Sequence, residues 1–150
     1  MEQLRHRFQN VYVQGFNTEA IFCSLHVVEA LKITLEALKR GILAANRPEL
    51  DLLLRISCTT QISKAISYAG IKSGKCACFV MFSKNKRDLL KARFYALQSL
   101  PKCDSPEFNV GASRRNNLAT KLGFGSGSYF LTDDNEFLSY LIERAALITK

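Results

Sequence analysis

Hydrophobic positions fall into short blocks whose spacing changes along the chain, and those blocks predict the elements. Phe8, Val11, Tyr12, Val13 and Phe16 form a β-branched and aromatic set over residues 7–16, predicting a strand that turns near Gly15 and Asn17. Ala20 to Cys23 predicts a second short strand. From Ser24 the period becomes helical: Val28, Leu31, Leu35 and Leu38 share one face, Lys39 and Arg40 close the last turn, and Gly41 follows. Arg47 to Gly70 holds two short helices. Pro48 suits the first helical position, with Glu49 and Asp51 in the first turn, and that helix is predicted to run to about Ile56. Its successor starts at Gln61 or Ile62, carries Ile62, Ala65, Ile66 and Ala69 at helical spacing, and stops at Gly70 as a left-handed terminator. The polar elbow between them is Ser57-Cys58-Thr59-Thr60.

Further along, Cys76 to Phe82 is an unbroken apolar run, predicting a strand buried on both faces at the centre of a sheet. Lys84 to Leu100 predicts a helix with Leu89, Leu90, Phe94, Leu97 and Tyr95 inward. Residues 101–106 predict a loop, 107–110 a short strand, and Ser113 caps a helix carrying Leu118, Ala119 and Leu122. The glycine-rich run 123–128 reads as a hinge into a last helix from Asp133 or Asp134, where Asp133 and Glu136 make a capping pair. Its apolar stripe, Phe137, Leu138, Leu141, Ile142, Ala145 and Ile148, is widened by Tyr140 and Leu147. Either the whole stripe is buried within the domain or part of it docks on another protein. Strands do not alternate regularly with helices, so the predicted class is α+β: one domain over residues 1–150, with a mixed, mainly antiparallel sheet covered by several helices.

Composition narrows the function. A chain of 150 residues, 47% hydrophobic, can bury one real core. No apolar run approaches the roughly 20 residues needed to span a bilayer, and Met-Glu-Gln-Leu-Arg-His-Arg-Phe lacks the apolar core of a signal peptide, so a cytoplasmic protein without a membrane partner is expected. Five cysteines, odd in number and without a Cys-x-x-Cys pair, predict neither a disulfide framework nor a zinc site, and all five are expected to be reduced. The formal charge of +8 suits a polyanionic partner through counterion release, and equally suits a merely soluble basic protein. Lys84, Lys86, Arg87, Lys91 and Arg93 make the densest positive patch, either a solvated helix face or an extension of an RNA-binding surface.

Catalytic signatures are missing. There is no His-Glu-x-x-His, no Gly-x-Ser-x-Gly, and no Gly-Lys-Ser/Thr ending on the glycine run. Cys58 at the elbow has no recognisable base, so the expectation is a non-enzymatic protein without cofactor, metal or small-molecule substrate. His26, in the first turn of its helix, is either a partly buried surface histidine or a lesser site residue. The elbow itself is either an ordinary capped helix corner or, through the free N-H groups of the second helix and nearby Lys64, Lys72 and Lys75, a phosphate site.

The central run resembles the small kinase-binding subunit of the KEOPS complex, in which a Leu-rich helix ends in Arg-x-Ser, a polar turn ends in Gln-Ile and an Ala-containing helix closes with Ala-Gly. Those positions are Arg55, Ser57, Gln61, Ile62, Ala65 and Gly70. The resemblance extends to Leu25-His26-Val27-Val28, to Gly123-Phe124-Gly125 and to Glu143-Arg144-Ala145-Ala146-Leu147-Ile148. It implies a non-catalytic subunit that docks on an atypical protein kinase subunit and binds the single-stranded 3′ CCA end of tRNA, supporting threonylcarbamoylation of the adenosine next to the anticodon. Arg55, Ser57, Thr60, Gln61 and Ile62 fall at the implied RNA-end site, and Lys64 and Lys72 join them on charge grounds. Kinase docking is assigned to Leu138, Leu141, Ile142, Ala145 and Ile148. Thr60 stands where many relatives have Arg, Cys58 where they often have Gly, and Asp51 replaces a Glu, so loss of the arginine removes a strong phosphate contact. The competing expectation is a standalone basic RNA-binding or interaction module of the same fold.

Overall fold

A computed structural model of the chain describes residues 2–100, 108, 110–124 and 133–149. Helix α3 (Pro48–Ile56) is the element about which the others pack, and all of it except Leu50 is buried. Helices α2 (Ser24–Arg40), α4 (Ile62–Ala69) and α7 (Asp134–Ala146) and strand β1 (Tyr12–Asn17) all touch it. Enclosure on so many sides explains why its leucines follow one another instead of forming a single stripe.

Strand β1 pairs antiparallel with β2 (Ala77–Phe82), Val13 opposite Met81 and Phe16 opposite Cys78. Because side chains alternate across a strand, Phe16, Cys78, Val80 and Phe82 join the core around Leu52, Leu53 and Ile56. Val13, Phe79 and Met81 face the other way, against Leu89 and Ala92 of α5 (Lys86–Ser99). The result is an α+β domain: α5, an antiparallel sheet, then α2, α3 and α4. At the strand's start lies α1 (Glu2–Arg7), whose Arg5 donates through Nη2 to the Val13 carbonyl at 2.8 Å. A second cluster joins Phe22 to Leu118 and Ala119 of α6 (Ala112–Lys121) and to Phe137 and Leu141 of α7, with Phe22 edge-on to Phe137 at 5.0 Å.

Several expectations are corrected. The predicted first strand over 7–16 is a strand only from Tyr12, Arg7 being the last residue of α1; Gly15 lies inside β1 opposite Phe79; and Ala20 ends a single 3-10 turn (Thr18–Ala20), after which residues 21–23 form no strand. Cys23, not Ser24, is the N-cap of α2, Gly111 precedes α6 where Ser113 was expected, and Asp133 makes no side-chain cap bond. Among the described residues β2 pairs only with β1, so it is not central, and five of its six residues are half-buried. The inward faces of two helices are also rotated. α2 buries His26, Val27, Ala30, Thr34 and Ala37, leaving Val28 and Leu35 exposed. α5 buries Ala92 and Ala96, leaving Leu90, Phe94 and Leu97 exposed.

Gly41 does end α2 in the left-handed conformation, at φ 71°. Gly70 does not, having φ −63°; a side chain there is excluded because its Cβ would lie 2.4 Å from the Ile66 carbonyl oxygen. Cys76 is disulfide-bonded, against the expectation of five reduced thiols, whereas Cys23, Cys58 and Cys78 are free. The predicted loop 101–106, half of the strand 107–110 and the glycine run from 125 lie outside the described residues, and Phe108 and Val110 are not in a strand.

Candidate nucleic-acid interface

The elbow forms because α3 is wound off over its last carbonyls. Ser57 N-H donates to Leu53 O at 3.1 Å, Thr59 N-H to Leu54 O at 3.2 Å, and Cys58 adopts φ 47°, in the left-handed region. Thr59 Oγ1 then accepts from Gln61 N-H at 3.2 Å, so Thr59 closes the turn, and Gln61, the N-cap of α4, makes no side-chain cap bond.

Beside this elbow is a cavity of about 560 Å³ whose lining includes Ser57, Cys58, Thr59, Lys64, Tyr68, Lys72 and Lys121. Lys64 and Tyr68 stand one helical turn apart on α4 and therefore face the same way. Lys121 arrives from the end of α6, and Glu19 from the turn after β1. Glu19 pairs with Lys75 at 2.9 Å and with Lys121 at 3.7 Å, and the hydrogen bond and charge of Lys75, with Lys121 behind it, hold its carboxyl below the usual range. Lys64 and Lys72 are exposed and have no ion-pair partner among the described residues. The Tyr68 hydroxyl is buried with no hydrogen-bond partner among the described residues, and burial, reinforced by Cys58 and opposed by Arg114, pushes its pKa upward. It therefore stays protonated. A cationic rim around a concave floor suits a phosphate-bearing ligand.

Nucleophilic chemistry is disfavoured at the same place. Burial pushes the Cys58 thiol up to about 11, against a smaller opposing pull from Arg144, so the thiolate is scarce at neutral pH. Among the described residues no cluster of His, Cys, Asp or Glu is placed to hold a metal ion.

Of the seven residues expected to contact RNA, Ser57, Lys64 and Lys72 line the cavity, whereas Thr60, Gln61 and Ile62 are exposed beside it without lining it. Arg55 is corrected outright. It is 2% exposed and points into the protein, where Nε donates to Asp51 Oδ2 at 2.7 Å and Nη1 to the carbonyl of Ala145 at 2.7 Å and that of Ile148 at 3.3 Å. Asp51 in turn accepts from Thr34 Oγ1 at 2.8 Å and Ala44 N-H at 2.7 Å. The pair clamps the end of α7 to α3 and α2, and the guanidinium is unavailable to a ligand. Tyr68 and Lys121 were missed by sequence reasoning. The i, i+4 spacing from Lys64 signals Tyr68; nothing local signals Lys121.

The docking stripe on α7 is corrected in the same sense. Leu141, Ala145 and Ile148 are core residues, Leu138 and Ile142 are half-buried, and Leu147 is 73% exposed. His26 is buried too, its Nδ1 accepting from Phe22 N-H at 3.4 Å while Nε2 has no partner among the described residues. No family model and no curated protein matches the chain.

Proposed function

We propose that this chain is a non-catalytic subunit that holds RNA and docks a protein partner, in the manner its resemblance to the small KEOPS subunit implies. In this reading the cavity beside α4 takes the 3′ CCA end of tRNA. The outward part of α7, Leu138, Ile142 and Leu147, meets an atypical kinase subunit, and the assembly threonylcarbamoylates the adenosine next to the anticodon. The observation that carries the RNA half is the convergence of Lys64, Lys72 and Lys121 on one concave site that Ser57 and Tyr68 also line. Single-stranded ends are gripped in this way, by cations along the backbone and polar groups at the base edges.

The test is a titration of tRNA with and without its CCA against wild type, Lys64→Glu and Lys121→Glu, at two salt concentrations. Both lysines are exposed, so the fold is retained. Removing the CCA and reversing either charge each weaken binding, the two together do little more than one alone, and neutralising one lysine lowers the salt slope by about one. Binding that is salt-sensitive yet indifferent to the CCA and to both substitutions would overturn the assignment. For the partner half, Leu147→Glu leaves the fold intact and weakens capture of the kinase subunit.

A further inference from the structure

Helix α5 shows an apolar face where a solvated helix shows none. Leu90, Phe94 and Leu97 are 53%, 64% and 56% exposed and stand at i, i+4 and i+7, one stripe turned away from the buried Ala92 and Ala96. Four cations bracket the stripe: Lys86 and Arg93 along one border, Arg87 and Lys91 along the other. None of the four forms an ion pair among the described residues. Beside it runs a groove of about 910 Å³ between α5 and the Ala77, Phe79 and Met81 face of β2, with Leu97, Leu100 and Ile71 on its walls and no carboxylate among the described residues that line it. This is the place a second helix would occupy next to α5 on the sheet, at the usual 8–10 Å between axes.

We infer that α5 and the adjoining groove form a docking site for an amphipathic helix of another protein, whose apolar stripe enters the groove beside Leu97 while flanking Glu or Asp side chains meet Arg93, which lines the groove, and Lys86 on the same border of α5. Charge selects this occupant. A second copy of the chain would set the same four cations against themselves on a protein already at +8. RNA would satisfy the cations but leave Leu90, Phe94 and Leu97 in water. An anionic bilayer takes up a protruding apolar face, whereas here much of the apolar surface is recessed, which suits side chains from a helix.

The experiment uses the full chain and a labelled synthetic helix of roughly four turns with Leu at i, i+3, i+4 and i+7 and Glu at the flanking positions. Fluorescence anisotropy should show saturable binding, weakened about tenfold or more by Phe94→Ser with Leu97→Ser and by replacing the peptide's Glu with Lys. Phe94→Ser and Leu97→Ser change exposed side chains, and an unchanged thermal melt confirms that the fold survives. Lys64→Glu should leave peptide binding intact, separating this site from the RNA cavity. Absence of saturable binding overturns the proposal. So does preferential binding of phosphatidylserine vesicles or single-stranded RNA that is lost in the Phe94→Ser, Leu97→Ser variant.

Discussion

Arg55 illustrates how far a residue's role depends on which way its side chain leaves the helix. Its spacing from Asp51, i to i+4, is that of an ion pair, and this much is legible in the sequence. Burial of both partners is not, because it depends on α2 and α7 closing over α3 from distant parts of the chain. Buried ion pairs contribute little beyond an apolar substitute, yet removing one partner strands a charge. Arg55→Ala should therefore destabilise the protein by roughly 3–5 kcal/mol in urea unfolding, and replacing Arg55 with Met and Asp51 with Leu together should cost much less than the two single changes summed. Loss of RNA binding in Arg55→Ala would report unfolding and not a lost contact. His26 gives a second prediction. Burial holds its imidazole pKa down at about 4, against an ordinary value near 6.5. The folded state resists protonation that the unfolded state accepts, so the contribution is fully present above about pH 6.5 and is lost as the pH falls toward 4. Between those limits the loss amounts to about 3 kcal/mol. Unfolding at pH 7 and pH 5 should show this slope in wild type and a flatter one in His26→Gln.

At the scale of elements, hydrophobic period located α2, α3, α4, α5 and α7 well, but it set the inward faces of α2 and α5 only in part: Leu31 and Leu89 pack against the core, whereas Val28, Leu35, Leu90, Phe94 and Leu97 are exposed. The cause is common to both. Large apolar residues mark a stripe in sequence, while close contact between helix and neighbour is made by small ones, Ala30, Thr34 and Ala37 in α2 and Ala92 and Ala96 in α5. A hydropathy pattern ranks Leu above Ala, whereas packing at short interaxial distance ranks Ala above Leu. In α5, Ala92 is fully buried against Val11 and Val13, so Ala92→Leu should overpack and destabilise by about 1–3 kcal/mol. Leu90→Ala, on the exposed stripe, should change stability by no more than about 0.5 kcal/mol. Thermal melts of the two variants decide between the faces. The apolar run of β2 misled for a related reason: it reads as two-sided burial, yet one side is covered only in part by α5, leaving the groove beside it. The candidate RNA cavity was half legible. Ser57, Lys64 and Lys72 lie within one local stretch, while Lys121 and Glu19 reach it only through the tertiary fold.

Across the whole molecule, the α7 helix is a structural member before it is a docking surface. Phe137 and Leu141 complete the cluster around Phe22, Ile148 enters the main core, and the carbonyls of Ala145 and Ile148 receive the Arg55 guanidinium. Removing it would expose those clusters and leave Arg55 with Asp51 alone, in a domain whose net stability is expected to be about 5–15 kcal/mol. Losing two buried large side chains typically costs several kcal/mol, and loosening of the clamp adds to that. A chain ending at Gly127 should therefore lose its cooperative thermal transition and most of its slowly exchanging amides, and not merely the partner binding proposed for it. A sharp melt in that truncated chain, with protection retained in α3, would show that α7 is dispensable to the fold and restore the whole stripe as a candidate docking surface. The expected collapse instead confines docking to the few outward positions, Leu138, Ile142 and Leu147. It also makes single substitutions there the only informative probe, because they alter the surface while Leu141, Ala145 and the Arg55 clamp stay in place.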